Sequence, residues 1–390
     1  MHILIIPSEH YVPKESPLSG IFQYHQAHAL INAGYNVGVI SPQPRSLKMI
    51  KNRVFGWKRG LEVENDRGIP VYRYHGWNWF PRMDRFCSRF WTKIGMKLFE
   101  RYIKDHGVPD IVHAHNAVYA GILANQIKDR FGIPYIITEH SSYFARALVS
   151  GFLILEATEV YKNADVLAVV SPNLGKFLEL RFGDAVQSWE WIPNILDARF
   201  EEDAFTSERK KNGRFYFLNI ANMDRNKGQQ DLIEAFAEKF RGREDVRLRI
   251  GGDGPLRRKL KNLAGDLGIG AQLDFLGYLD RKQILDEMRA CDAFVLSSHY
   301  ETFGAVLIEA LACGKPVIST ACGGPECIVD KNNGMLVPVK DIASMGDAMA
   351  MMKQGSEYFD KNSIRARCIA NFGEEAFIRR ISKMYERICG

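Results

Sequence analysis

The sequence predicts an α/β protein built from two doubly wound, Rossmann-like units. Three observations carry this reading: short apolar runs alternate with amphipathic stretches, glycines fall just past the periodic segments, and the pattern restarts midway along the chain. A length of 390 residues fits two units of ordinary domain size.

In the first half, strands are expected at 2–7 (HILIIP), 36–41 (NVGVIS), 71–75 (VYRYH), 110–115 (DIVHAH), 134–140 (PYIITEH) and 165–171 (DVLAVVS). Between them FQYHQAHALINAG closes on Gly34 and YAGILANQIKDRFG closes on Gly132, a helix-ending signal. The second series runs 214–221 (RFYFLNIA), 246–252 (VRLRIGG), 272–277 (QLDFLG), 292–298 (DAFVLSS), 315–320 (KPVIST) and 334–339 (GMLVPV). Helices such as GQQDLIEAFAEKF and ILDEMRACD separate these strands. The Pro, Asn and charge-rich stretch 191–205 (WIPNILDARFEEDAF) reads as a linker. The expected domains are therefore 1–196, joined by the amphipathic closing helix 374–390, and 197–373. Two such sheets imply a crevice, because ligands in open α/β sheets bind at the carboxyl ends of strands.

Composition narrows the class. With 46% hydrophobic and 25% charged residues the chain can bury a sizeable core. The segment MHILIIPSEHYVP reads as a first buried strand rather than a signal peptide, and no apolar run approaches the length of a membrane span, so a cytoplasmic protein is expected. Seven cysteines without paired CxxC spacing point to reduced thiols rather than disulfides or zinc. The net charge is +6, but 45–104 holds 15 Lys/Arg against 5 Asp/Glu, together with Trp57, Trp77, Trp79 and Trp91. Such a segment suits anionic lipid headgroups or a phosphorylated acceptor; the alternative is a solvated basic face with the tryptophans in the core. Nucleic acid is not expected, since no recognition module accompanies the charge. ENDRGIP, after the basic run, reads as a loop rather than an acidic metal motif.

The window SSHYETFGAVLIEALACGKPVIST (297–320) is the most informative. A strand ends at Ser297, a turn carries Glu301, and Gly304 opens a helix ending at Gly314. The helix start offers free backbone N–H groups to a diphosphate, and Gly304 permits close approach. Glu301 and Glu309 stand eight positions apart, about 12 Å along a helix, far enough to grip a sugar and a ribose on either side of that diphosphate. Glu309 lies among Ala, Val, Leu and Ile, where an idle charge is costly. In DIVHAH, His113 and His115 share one side of a strand, with His115 at its end and His113 expected in the core. His25 and His28 are expected to be structural or superficial.

Glu301, seven intervening residues and Glu309 resemble the EX7E signature of the family 4 retaining glycosyltransferases. The likeness extends over nearly the whole chain: SGIFQYHQAHALINAGYNVGVI, PDIVHAH, WIPNILDARF, NKGQQDLIEAF, IGGDGPL and GGPECIVDKNNGMLVP resemble that family's ordered loops. The resemblance implies the GT-B fold and transfer of a sugar from a UDP- or GDP-type nucleotide sugar to a glycan or lipid-linked acceptor. It implies front-face substitution with retention, no metal and no cofactor, and a place in surface polysaccharide or glycolipid synthesis at the inner face of the cell membrane. By the same resemblance Glu309 binds the ribose, Glu301 the donor sugar and Lys227 the departing diphosphate, while His115 approaches the reacting carbon. Gly20, Gly252, Phe303, Gly304 and Ala305 lie along the donor. His140 and Glu139 are expected to line the acceptor pocket. The sequence departs from the family at Asn222, where an arginine is usual; either Arg225 makes the second phosphate contact or one cation suffices. Rival readings are a GT-B nucleotide-sugar epimerase or phosphorylase, a dinucleotide oxidoreductase, which the missing GxGxxG after the first strand disfavours, and a non-catalytic scaffold.

Overall fold

The computed structural model describes residues 1–9, 11, 20–46, 59–80, 83–146, 148–202 and 213–390. Ser19, all of the basic stretch 47–58 with Trp57, and the linker residues 203–205 lie outside them. The chain divides into two compact units, Met1–Ile195 with Phe377–Gly390, and Leu196–Ala376.

The first unit is built on an eight-stranded sheet. Its strands are β1 (His2–Ile6), β2 (Asn36–Ser46), β3 (Gly60–Asp66), β4 (Ile69–Asn78), β5 (Ile111–His115), β6 (Tyr135–Glu139), β7 (Val166–Val169) and β8 (Glu190–Trp191). They lie in the order β3-β4-β2-β1-β5-β6-β7-β8. All neighbours are parallel except β3 and β4, which form an antiparallel hairpin. The stretch ENDRGIP, expected as a loop, is therefore corrected: it supplies the end of β3, a tight turn and the start of β4. Arg67 and Gly68 both take positive φ there (53° and 96°), the geometry of a two-residue hairpin turn. The sheet reverses its winding between β1 and β5.

Continuous apolar strands are what a sheet covered on both faces requires. Ile3, Ile5, Val37, Val39, Val71, Ile111 and Ile136 pack with Ala27 and Leu30 of the helix Ile21–Asn32. Phe377, Ile381, Met384 and Tyr385 of the closing helix Glu374–Cys389 complete the same core. The helix Ile122–Phe131 ends at Gly132, whose φ is 70° and whose N–H donates to the Lys128 carbonyl. The turn before this helix, Ala117–Gly121, is irregular, with Tyr119 at φ 63°.

The second unit holds six parallel strands: β9 (Phe215–Ile220), β10 (Val246–Gly251), β11 (Leu273–Gly277), β12 (Ala293–Leu296), β13 (Val317–Thr320) and β14 (Gly334–Val337). Their order is β11-β10-β9-β12-β13-β14, so the winding reverses between β9 and β12. Phe217, Leu232, Phe236, Leu248, Ile250, Val295 and Met349 form the centre of its core. Loops leaving the carboxyl ends of two strands at such a reversal diverge and leave a hollow for a ligand.

Candidate functional site

In the second unit the loops after β9 and β12 are tied together. The His299 N–H donates to the Asn226 carbonyl (2.7 Å), the Asn226 amide to the Tyr300 carbonyl (2.9 Å), and the Ser297 hydroxyl to the Lys227 carbonyl (2.9 Å). Gly228 makes this contact possible. Its φ is 60°, and a Cβ there would stand 2.0 Å from the Ser297 carbonyl oxygen. The result fixes Lys227, whose Nζ donates to Glu301 Oε1 at 2.8 Å. Ser298 donates its hydroxyl to the same oxygen at 2.7 Å.

Glu301 is braced from a third strand end: its N–H bonds the Cys322 carbonyl and its carbonyl accepts from the Gly324 N–H (3.2 and 2.8 Å). Gly304, at φ 97°, then opens the helix Ala305–Ala312, whose start no side chain caps. The helix begins only at Ala305, so the expected helical spacing of Glu301 and Glu309 is corrected: half of that interval is loop. Phe303 is buried, edge-on to Phe372 at 5.8 Å between ring centres. Gly252 follows β10 with φ 115°; a Cβ would meet the Ala221 carbonyl oxygen at 2.0 Å, so this loop lies against the one carrying Asn222. Asn222 and Arg225 are exposed, and among the described residues neither side chain has a bonding partner. Arg225 opens a short turn capped by Asp224, whose carboxylate accepts the Asn226 N–H.

Glu309 is mostly covered and is gripped by Arg281, whose Nη2 donates to Oε1 at 2.7 Å. The same guanidinium holds Asp197 through Nε and Nη2 (3.1 and 2.7 Å). Sequence reasoning missed Arg281 and Asp197. An arginine at a helix start reads as a solvated charge, and its partners lie 84 and 28 positions away.

In the first unit, β5 and the residue just past β6 present three histidines. His113 is satisfied in the core by the Tyr385 hydroxyl (2.7 Å) and the Thr138 hydroxyl (2.8 Å). His115 shares a hydrogen bond of 3.0 Å with His140 through Nδ1, and its Nε2 is buried without a partner among the described residues. Burial holds the His113 and His140 pKa values down at about 3, and that of His115 is lowered well below the usual range by burial and its two neighbours. All three rings are neutral at physiological pH. His115 is fully covered in this structure, with Phe22 lying 4.5 Å from the His140 ring and 6.5 Å from that of His115.

Gly20, at φ 66°, starts the first helix, and its N–H donates to Glu9 (3.2 Å). Glu139 is fully buried, and its carboxylate accepts from the Ala117 N–H, the Ser141 N–H and the Tyr161 hydroxyl (3.0, 3.0 and 2.7 Å). Burial raises its pKa against the pull of those donors. The carboxylate expected to line the acceptor pocket thus holds two loops together at the wall of a cavity. Asn116, at φ 68°, bonds Ser8 through its amide and the His140 N–H through its oxygen (both 2.7 Å). Around these groups lies a cavity of about 390 Å³ whose wall includes Ser8, Phe22, Asn116, Tyr119, His140 and Tyr143. Asn116 and Tyr119 carry no sequence signal, since positive φ is unmarked where glycine is not used. Among the described residues no group of three or more His, Cys, Asp or Glu side chains could hold a metal ion, and no helix is long and apolar enough to cross a membrane.

Both halves of the chain match known protein families. Residues 20–200 match the family described as Glycosyltransferase Family 4, and residues 200–371 match Glycosyl transferases group 1. Glycogen synthase of Mycobacterium tuberculosis is 28% identical over 360 residues, covering 90% of this chain and 85% of that protein. N-acetyl-alpha-D-glucosaminyl L-malate synthase of Bacillus anthracis is 30% identical over 290 residues, covering 72% and 74%. Anabaena Alr3699/HepE, solved in complex with UDP, is similar in fold with a TM-score of 0.74 at 16% identity, covering 99% of this chain and 100% of that one. Fold and relatives together define a glycosyltransferase of the GT-B class. The chain belongs to glycosyltransferase family 4.

Proposed function

We propose that the protein moves a glycosyl residue from a nucleoside-diphosphate sugar to an acceptor hydroxyl, with retention and without a metal ion. The observation that carries this reading is the Lys227–Glu301 pair at 2.8 Å, set at the reversal of the second sheet, in the same loop system as an uncapped helix start. A diphosphate at that start meets free N–H groups of Ala305 and its neighbours, and Lys227 exchanges Glu301 for the leaving group's charge. Arg225, exposed and unpaired among the described residues, supplies a second cation in place of the one missing at Asn222. Gly252 and Gly304 let backbone approach the donor closely, beside Phe303.

Glu301, released from Lys227, takes hydroxyls of the donor sugar, and Glu309 takes those of the ribose. A diphosphate oxygen accepts the proton of the attacking hydroxyl, so the reaction needs no separate base. In the first unit, neutral His115 offers a hydrogen-bond partner to a sugar, Gly20 lets backbone come close to a phosphate, and His140 with Phe22 and Tyr119 lines the cavity that receives the acceptor. Glu139 acts there by holding the loops at Ala117 and Ser141. UDP is the first donor nucleotide to test, because the Anabaena structure contains it.

The acceptor is a glycan or a lipid-linked glycan of a surface polysaccharide or glycolipid, and an anionic membrane face fits the basic segment 45–104. On the helix Asp84–His106, Arg85, Arg89, Lys93 and Lys97 are exposed, beside exposed Trp79, Met83 and Phe86. A panel of nucleotides and nucleotide sugars in a thermal-shift assay tests the donor reading. A nucleoside diphosphate should raise the melting temperature, and Glu309→Ala should abolish the rise; an unchanged shift removes Glu309 from the ribose. The anomeric configuration of the product, followed by NMR, tests retention.

A further inference from the structure

We infer that Arg281 is the positioning residue of the ribose subsite and confers preference for a ribonucleotide over a deoxynucleotide donor. This rests on the assignment of Glu309 to the ribose. Arg281 is the first residue of the helix Arg281–Ala290, and its backbone is fixed by a capping box: Asp280 accepts the Gln283 N–H, and Gln283 accepts the Asp280 N–H. The guanidinium is mostly buried over the Phe200 ring, 5.1 Å from its centre. Nε and Nη2 both donate to Asp197 Oδ2, and Asp197 is itself held by Arg199 Nη2 at 2.8 Å. Two bonds from one edge of a planar cation to one buried acceptor set the plane of the guanidinium.

The consequence falls on Glu309. Only Nη2 reaches it, through Oε1, while Oε2 accepts no bond among the described residues. A carboxylate with one oxygen anchored and the other left open in a mostly covered position can accept a ligand's donors there. Vicinal hydroxyls are donors of the right kind, because a carboxylate accepts only. Arg281 therefore aims the free oxygen, and Asp197 keeps Arg281 in place. A lysine at 281 would preserve the charge and lose the plane.

The test compares binding of UDP and GDP with their 2′,3′-dideoxy forms by calorimetry. Wild type, Arg281→Met, Arg281→Lys, Asp197→Asn and Glu309→Ala are each titrated. Wild type should favour the ribose form by roughly tenfold or more, the scale of a hydrogen bond to a charged group. Arg281→Met should bring the ratio close to one by weakening the ribose form, with the dideoxy form changed less than about twofold, since hydrogen bonds to the ribose alone are lost. Arg281→Lys and Asp197→Asn should be intermediate, and they supply the answer if Arg281→Met does not fold. A purely structural role predicts that both nucleotides weaken together with the ratio intact; that result overturns the inference. If Glu309→Ala collapses the ratio and the Arg281 variants do not, Arg281 is excluded while Glu309 stands. If Glu309→Ala keeps the wild-type ratio, or neither nucleotide binds wild type, the donor reading itself fails.

Discussion

Acidification from pH 7 to pH 5 should destabilise the first unit through its buried histidines. His113 and His140 have folded-state pKa values of about 3, against about 6.5 in an unfolded chain. Below pH 6.5 the unfolded chain takes up protons at these rings and the folded chain does not, so stability falls as pH drops and levels off only near pH 3. At pH 5 each ring is 1.5 pH steps below its unfolded value, or about 2 kcal/mol, so the pair contributes up to about 4 kcal/mol. His140 keeps 9% of its surface, which makes its share a ceiling. His115 acts in the same direction. Glu139 opposes them, because its raised pKa makes the folded state less burdened by that carboxyl as pH falls. The assay is urea unfolding at fixed pH values from 5 to 7.5, read by near-ultraviolet circular dichroism. His113→Gln should reduce the slope of stability against pH near pH 5 by about one proton, whatever it does to stability at pH 7. A slope of zero in wild type, or the same slope in the variant, would mean that water reaches these rings, and the neutral role given to His115 would fall with it.

Three further outcomes follow from the geometry. Lys227→Met should lower the turnover of donor by about 100-fold or more while costing only about 1 kcal/mol of stability, since Ser298 still bonds Glu301; steady-state kinetics beside a melting curve separates the two. Gly228→Ala should cost at least about 2 kcal/mol in urea unfolding, because the new Cβ collides with the Ser297 carbonyl and must also sit at φ 60°. Combined Arg89→Glu, Lys93→Glu and Lys97→Glu should reduce sedimentation with phosphatidylglycerol-containing vesicles by about 100-fold, at about 1 kcal/mol per cation. Retained sedimentation would remove that helix face from membrane contact.

The parallel strands were legible because sheets covered on both faces need unbroken apolar runs, as in HILII and AFVL. Strand β3 was not, because its pattern is inverted. Leu61 and Val63 are exposed, while Glu62 and Glu64 turn toward His75 and Arg73. Inward charge on an edge strand guards against further pairing, but it erases the usual alternation. Strand β8 has only two residues and too little pattern to see. At the site, Lys227, Glu301, Glu309 and Gly304 carry local signatures. Their mutual geometry does not, since Lys227 and Glu301 are 74 positions apart. The backbone roles of Asn116 and Tyr119 and the loop-holding bonds of Glu139 depend on neighbours from other elements, which no single window contains.

The closing helix also bears on how the chain matures during synthesis. Phe377, Ile381, Met384 and Tyr385 fill the core under β1, β2 and β5, and the Tyr385 hydroxyl satisfies His113. Everything from Leu196 to Ala376 must leave the ribosome before those side chains become available. The sheet made first therefore waits, with an apolar face open, until the closing helix has emerged, whereas the later unit is contiguous and can close ahead of it. Shortened products that stop before the final helix would carry that unsealed face and present themselves to chaperones and proteases.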